Sequence, residues 1–282
     1  MVSVKNCRPA GCCRSGEVAS VGWAVLRLPT LAGRSHRVYV PSRPRPCSVA
    51  GLGRHSTRES RARCKICPEE CVMEKTRKTT KADVCILESL RFFDEQDRRE
   101  GEIISRTLRM LGKELYYVYI RSRQELEQIV TEYARSSYRY LHLSCHGKEE
   151  GFRTTLDFIN ADESAKIFSV VKGKRRLFLS SCSSCTTAFG KSLIEDEDSE
   201  WLSVVGPDGK INFDDAAIFW ATFYHRMFNE NDDGMSNSAI EANIALCSAI
   251  IDQDFRFVRK ERGTTIAKVV PHLKFRDSSK VS

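Results

Sequence analysis

Acidic residues are almost missing from the first quarter of this chain. Residues 1–66 hold 11 Arg and 2 Lys against only Glu17 and Glu59, a net charge of +11. The whole chain carries +8, so residues 67–282 together carry −3. The basic character therefore belongs to the N-terminal tail, and the remainder is mildly acidic. Long apolar runs are also missing: no stretch approaches the roughly 18 consecutive apolar residues of a spanning helix, which excludes a helical membrane protein. A secretory signal is not expected, because the apolar stretch Val21–Leu28 is broken by Arg27 and stands far from the start.

Proline and cysteine are scarce where the patterned sequence lies. Six of the eight prolines and seven of the twelve cysteines precede residue 72. The tail lacks a sustained apolar period, and its segment PSRPRPC (41–47) fits neither helix nor central strand. Residues 1–80 read as a mostly disordered, Arg-rich tail. Its composition leaves open an organelle transit peptide, or electrostatic binding of acidic partners or nucleic acid, beside a merely solvated tail. Met73, just before the pattern begins, is an alternative start. The spacing Cys64-x2-Cys67-x3-Cys71 has some metal-ligand character, with Cys47 or His55 as further donors, but no clear second pair. No metal or other cofactor is expected. The five cysteines beyond residue 80 sit mostly in apolar runs and read as free thiols of a reducing, cytoplasmic compartment.

From residue 82 the periodicity changes. Short apolar, β-rich runs at 82–89, 114–120, 138–144, 154–159, 175–181 and 201–206 alternate with helical patterns at 101–112, 122–137, 161–171, 185–194, 214–228 and 236–251. Ser122 with Glu125 forms a capping box, and Gly112 closes the first helical stripe. The runs 255–260 and 264–270 suggest a terminal hairpin. Alternation of this kind predicts a three-layer α/β sandwich over residues 81–282, a mostly parallel sheet with helices on both faces.

Two of the strand-like runs end on reactive side chains. YLHLSCHG (140–147) ends on His146-Gly147, and RRLFLSSC (175–182) ends on Cys182. Right-handed crossovers align strand C-termini on one edge, where open α/β sheets carry their sites. A cysteine with a histidine in reach is a nucleophile with a base. Cys182 is expected just ahead of a helix, whose dipole favours the thiolate. Gly147 lets the backbone present its N–H unhindered, so the N–H groups of Gly147 and Cys182 are candidates for an oxyanion hole. Cys145 and His142 read as packed core residues, and His225, in an apolar helix, as structural. Asp157, Asp214 and Asp215 are candidates for a pocket that reads a basic substrate side chain, although helix capping also accounts for Asp214 and Asp215. The acidic run EDEDSE (195–200) reads as a solvated loop.

LHLSCHG followed by LFLSSC resembles the caspase-like cysteine peptidases, and most of all the CHAT branch, relatives of caspases and separases. The stretch WLSVVGPDGKINFDDAAIFWATFYHRMF, with Phe223 and Tyr224, is similar to the CHAT segment after the cysteine. The resemblance covers about residues 82–250; the tail matches nothing in the family, and Ser181 stands where Ala is commoner. It implies a caspase-like fold with His146 as general base, Cys182 as nucleophile and Gly147 in the oxyanion hole. It further implies hydrolysis of a protein or peptide substrate through a thioester, with a regulatory protein as a further candidate partner. Repeats of the kind often fused to CHAT domains are missing. Two other readings stay open. One is a catalytically silent caspase-like interaction module. The other is a thiol–disulfide oxidoreductase built on Cys182-x-x-Cys185; within the peptidase reading, Cys185 could be the nucleophile in place of Cys182.

Overall fold

A computed structural model describes residues Trp23–Leu26, Val38–Pro41 and 80–274 apart from position 198. The chain divides into two compact units, Met1–Cys71 and Val72–Ser282. In the first, β1 (Trp23–Leu26) pairs antiparallel with β2 (Val38–Pro41). The rest of the expected tail, up to residue 79, lies outside the described residues. Pro41 closes β2. The Cys64, Cys67 and Cys71 cluster lies outside the described residues.

The second unit is an α/β sandwich around a mostly parallel sheet. Its strands are β3 (Lys81–Ser89), β4 (Leu115–Tyr119), β5 (Tyr138–Lys148), β6 (Gly151–Arg153), β7 (Phe158–Asn160), β8 (Arg175–Ser180), β9 (Trp201–Pro207), β10 (Phe255–Glu261) and β11 (Thr264–Val270). Its helices are α1 (Glu100–Met110), α2 (Arg123–Arg135), α3 (Ala161–Ser169), α4 (Thr187–Glu195), α5 (Phe213–Glu230) and α6 (Asn237–Ser248). The main order is β11-β10-β9-β8-β5-β3-β4. The pairs β4–β3, β3–β5, β5–β8 and β8–β9 are parallel, and β10 and β11 add an antiparallel edge.

Strand alternation divides the core into two layers. Cys85, Leu87, Leu141, Leu143, Leu177 and Leu179 face one side, where α2, α3 and α4 supply Leu126, Val130, Phe168, Phe189 and Leu193. Val84, Ile86, Tyr140, Phe178 and Val205 face the other, covered by α1, α5 and α6. Burial on both faces is why the central strands are continuous apolar runs. The second layer is rich in aromatic edge contacts: Trp220, Phe223 and Tyr224 of α5 all pack on Phe178.

Local chemistry fixes the helix starts. Ser122 accepts from the Glu125 N–H while Glu125 returns the contact, the expected capping box, and Asn160 and Glu163 form a second at α3. The C-terminal carbonyls of α2 are gathered by one side chain: the Arg175 guanidinium donates to the carbonyls of Tyr133, Ala134, Ser136 and Tyr138. α1 has no side-chain cap of its own, and the Gly101 N–H instead donates to Glu88 of β3 at 2.7 Å. Of the single strand expected at 154–159, only Phe158 and Ile159 are strand, within β7; residues 154–157 connect it to β6. A turn separates them, in which the Thr154 N–H donates to the Asp157 carbonyl and Thr154 Oγ1 accepts from the Asp157 N–H. Among the described residues no helix is long and apolar enough to cross a membrane.

Candidate active site

Adjacent parallel strands bring the two expected residues to one edge. β5 and β8 are in register through Ser144↔Ser180. His146 and Cys182 each lie two residues beyond that pair. Both line one open cleft of about 710 Å³, with Gly147, Ser181 and the loop Lys210–Asn212 before α5. The glycine is required by close approach. A Cβ at Gly147 would stand 2.1 Å from Ser181 Oγ and 2.8 Å from the Cys182 carbonyl oxygen.

Cys182 is half-buried, whereas Cys85, Cys145, Cys185 and Cys247 are buried. Burial pushes the thiols of Cys145 and Cys185 up to about 12, so both stay protonated at neutral pH. The Cys182 thiol donates to the Ile211 carbonyl at 3.3 Å and accepts from the Ile211 N–H at 3.5 Å. It therefore points at the loop before α5, without a hydrogen bond to His146. The chain turns just after it: Ser183 has φ 53°, a left-handed conformation anchored by its N–H on the Gly209 carbonyl. Helix α4 begins only at Thr187, capped by Thr186. The expected support of Cys182 by an adjacent helix N-terminus is corrected accordingly, since the dipole's effect is confined to the first turn.

The imidazole is oriented by a residue that sequence patterning missed. His146 Nε2 lies 2.9 Å from Oδ2 of Asp94, a carboxylate only 1 % exposed. The other carboxylate oxygen lies 3.2 Å from Arg98 Nη1. The ring of Phe213 meets the His146 ring edge-on at 5.1 Å, and the Arg98 guanidinium lies over the Phe213 ring at 5.8 Å. Nε2 is thus occupied, and Nδ1 is the ring nitrogen left for other chemistry.

Below the cleft lies a second polar group. Glu100, at the first position of α1, is 2 % exposed and lines the cleft. Its Oε2 accepts from Ser144 at 3.1 Å and from Ser180 at 2.8 Å. Its Oε1 has no hydrogen-bond partner and sits 3.5 Å from His142 Nε2. His142 is fully buried, pairs through Nδ1 with the Tyr224 hydroxyl at 3.1 Å, and packs edge-on against Trp220, as its packed reading required. His225, read as structural, is exposed on α5 and contacts Asn229.

Of the three acidic candidates, only Asp214 lines the cleft, joined there by Asp97. Asp157 is not in the cleft; its carboxylate accepts the Arg123 N–H at 2.7 Å, at the start of α2. Asp215 turns to Asn212 Nδ2 at 3.2 Å, within its own helix start. Among the described residues no group of three or more His, Cys, Asp or Glu could hold a metal ion.

No protein-family model matches the chain, and no curated protein matches it. Among solved structures, the chain is similar to caspase-1 from Spodoptera frugiperda, with a TM-score of 0.40 at 10% identity, over 60% of this chain and 79% of that one.

Proposed function

We propose that this protein is a cysteine peptidase of the caspase-like, CHAT type, with Cys182 as nucleophile and His146 as base. The observation that carries the reading is the buried Asp94 holding Nε2 of an imidazole on the same cleft as the one half-buried thiol among the described residues. Asp94 accepts a hydrogen bond from Nε2–H and so leaves Nδ1 basic, the tautomer that a general base needs. Nδ1 takes the thiol proton as Sγ attacks the scissile carbonyl. The N–H groups of Gly147 and Cys182 face the developing oxyanion. The imidazolium then protonates the leaving amine, and a thioester remains on Sγ. Water, deprotonated at Nδ1, attacks the thioester and releases the acid.

The substrate side chain this cleft suits best is basic. Glu100, Asp97 and Asp214 line it against Arg98 and Lys210, and Arg98 is already drawn to Asp94. A positional peptide library digested by wild type and by Cys182→Ala tests the reading. Cleavage that disappears in the variant and favours Arg or Lys supports it, and indistinguishable digests refute it. One observation favours the silent-module alternative: the Cys182 thiol is hydrogen-bonded to Ile211 rather than to His146. Apo sites commonly show such loose pairs, which tighten only around substrate. Labelling of Cys182 by an alkylating reagent, faster in wild type than in His146→Ala, separates the two.

A further inference from the structure

The opposite ends of the same strands carry an unassigned basic cavity. It has a volume of about 360 Å³ and is walled by Arg139, Lys174, Arg176, Thr80, Gly234 and Ser236. β5 and β8 start here, at Tyr138 and Arg175, so β8's six residues, about 20 Å of strand, separate the cavity from the cysteine cleft.

Three cations meet here without a carboxylate. None of the lining residues is acidic, and among the described residues Arg139, Lys174 and Arg176 pair with no Asp or Glu side chain. Arg176 is only 6 % exposed. Its Nη1 donates to two neutral oxygens, Ser203 Oγ and Asn237 Oδ1, both at 2.8 Å. Arg139 donates once from each nitrogen, to the Thr80 hydroxyl and to the carbonyls of Thr80 and Asp233, which leaves two of a guanidinium's five N–H groups over. A guanidinium removed from water without a counter-charge is costly, and buried cations are ordinarily paired. Burial pushes Arg176 down to about 10, the direction that such burial dictates. The neighbouring buried arginine shows the contrast: Arg175 is saturated by carbonyls of α2. The cavity also adjoins the N-terminus of α6, a twelve-residue helix capped by Ser236, whose positive end adds to the same field.

We propose that this cavity is a binding site for a phosphate-bearing small molecule, with Arg176 at its floor and Arg139 and Lys174 at its mouth. The fork of Arg176 suits two oxygens of one phosphoryl group, and Lys174 supplies a mobile point charge at the entrance. The site is independent of the peptidase chemistry, since none of its residues lines the cysteine cleft.

Titration calorimetry of the full chain with inorganic pyrophosphate tests this, at constant ionic strength set with sodium chloride. One saturable site per chain is expected, and Lys174→Ala, an exposed substitution, should weaken it about tenfold. Arg176→Gln should abolish it, with Arg139→Gln as the second variant should Arg176→Gln not fold. The N-terminal tail also carries many cations, but binding there would ignore all three substitutions, and that result would overturn the proposal. Inorganic phosphate binding as well as pyrophosphate would assign the site to a single phosphoryl group and support the proposal. Citrate binding equally well would overturn the assignment to phosphate.

Discussion

His146 Nε2 and Asp94 Oδ2 are 2.9 Å apart, and the carboxylate is almost wholly removed from solvent. A buried acceptor in that place fixes both the tautomer and the plane of the ring. Asp94→Asn keeps the shape but can present its amide N–H₂ to Nε2, which then becomes the acceptor and moves the proton to Nδ1. On the proposed mechanism kcat should fall by about 10²- to 10⁴-fold with KM changed little, as for other misoriented catalytic imidazoles. The alkylation rate of Cys182 should fall in parallel. A merely structural Asp94 would instead lower the melting temperature and leave both rates of the folded fraction intact.

The thiols give a second prediction. Burial pushes Cys85, Cys145 and Cys185 up to about 12 and Cys247 up to about 11. Iodoacetamide at pH 7.5, followed by peptide mapping, should therefore modify Cys182 well ahead of these four. Rapid modification of Cys185 in the native protein would revive the dithiol reading. So would a Cys182–Cys185 disulfide formed under mild oxidant. Against that reading, both cysteines precede α4, and their sulfurs turn to different elements, Cys182 to Ile211 and Cys185 to the Arg256 carbonyl on β10.

The legible part of this site is the part that regular structure carries. β5 and β8 are apolar runs because both of their faces are covered, and a run that ends in His-Gly or in Cys announces a strand C-terminus. The parallel pairing then follows from alternation with helices. Asp94 and Glu100 were not legible. Asp94 lies in the segment RFFDEQDRRE, which has no apolar period and several carboxylates of equal promise. It reaches His146 only because β3 is the direct neighbour of β5, a fact of strand order that one sequence does not state. Glu100 lies in the same polar stretch, at the first position of a helix that offered no cap signal. The misplaced start of α4 has a local cause. C-S-S-C-T-T offers several capping residues, and the turn at Ser183 delays the helix until Thr186 takes that role. Asp157 and Asp215 were drawn into a pocket by sequence position near the sheet edge, whereas their carboxylates serve helix starts.

Gly147 provides a steric test. Its missing Cβ leaves room for the Ser181 side chain and the Cys182 backbone, and neither Ser181 Oγ nor the Cys182 carbonyl is the free end of a long side chain. Gly147→Ala should therefore push the β5 end away from the Cys182 turn, at a cost of about 1–3 kcal/mol, typical of overpacking. Thermal unfolding would register that cost. Peptide hydrolysis should fall further than the fraction unfolded, because the displacement opens the gap between the two N–H groups of the proposed oxyanion hole. Activity that tracks stability alone would remove Gly147 from that role.

The last prediction concerns pH and lies outside the cleft. Glu88 at the end of β3 accepts from the Gly101 N–H at 2.7 Å and from the Tyr117 hydroxyl at 2.5 Å. Burial nevertheless dominates and pushes its carboxyl up to about 7 from an ordinary 4.5. The folded chain therefore holds a proton that the unfolded chain has released between these two values. Stability from this group is fully present below pH 4.5 and is lost as pH rises through 7, amounting to about 3 kcal/mol by linkage. Glu88→Gln removes the titration while keeping a hydrogen-bonding side chain of the same size. The difference in unfolding free energy between variant and wild type, followed by urea denaturation from pH 4.5 to 8.5, should move in favour of the variant as pH increases. A difference that stays flat across this range would mean that Glu88 is ionised throughout, held by Gly101 and Tyr117 more strongly than its burial opposes.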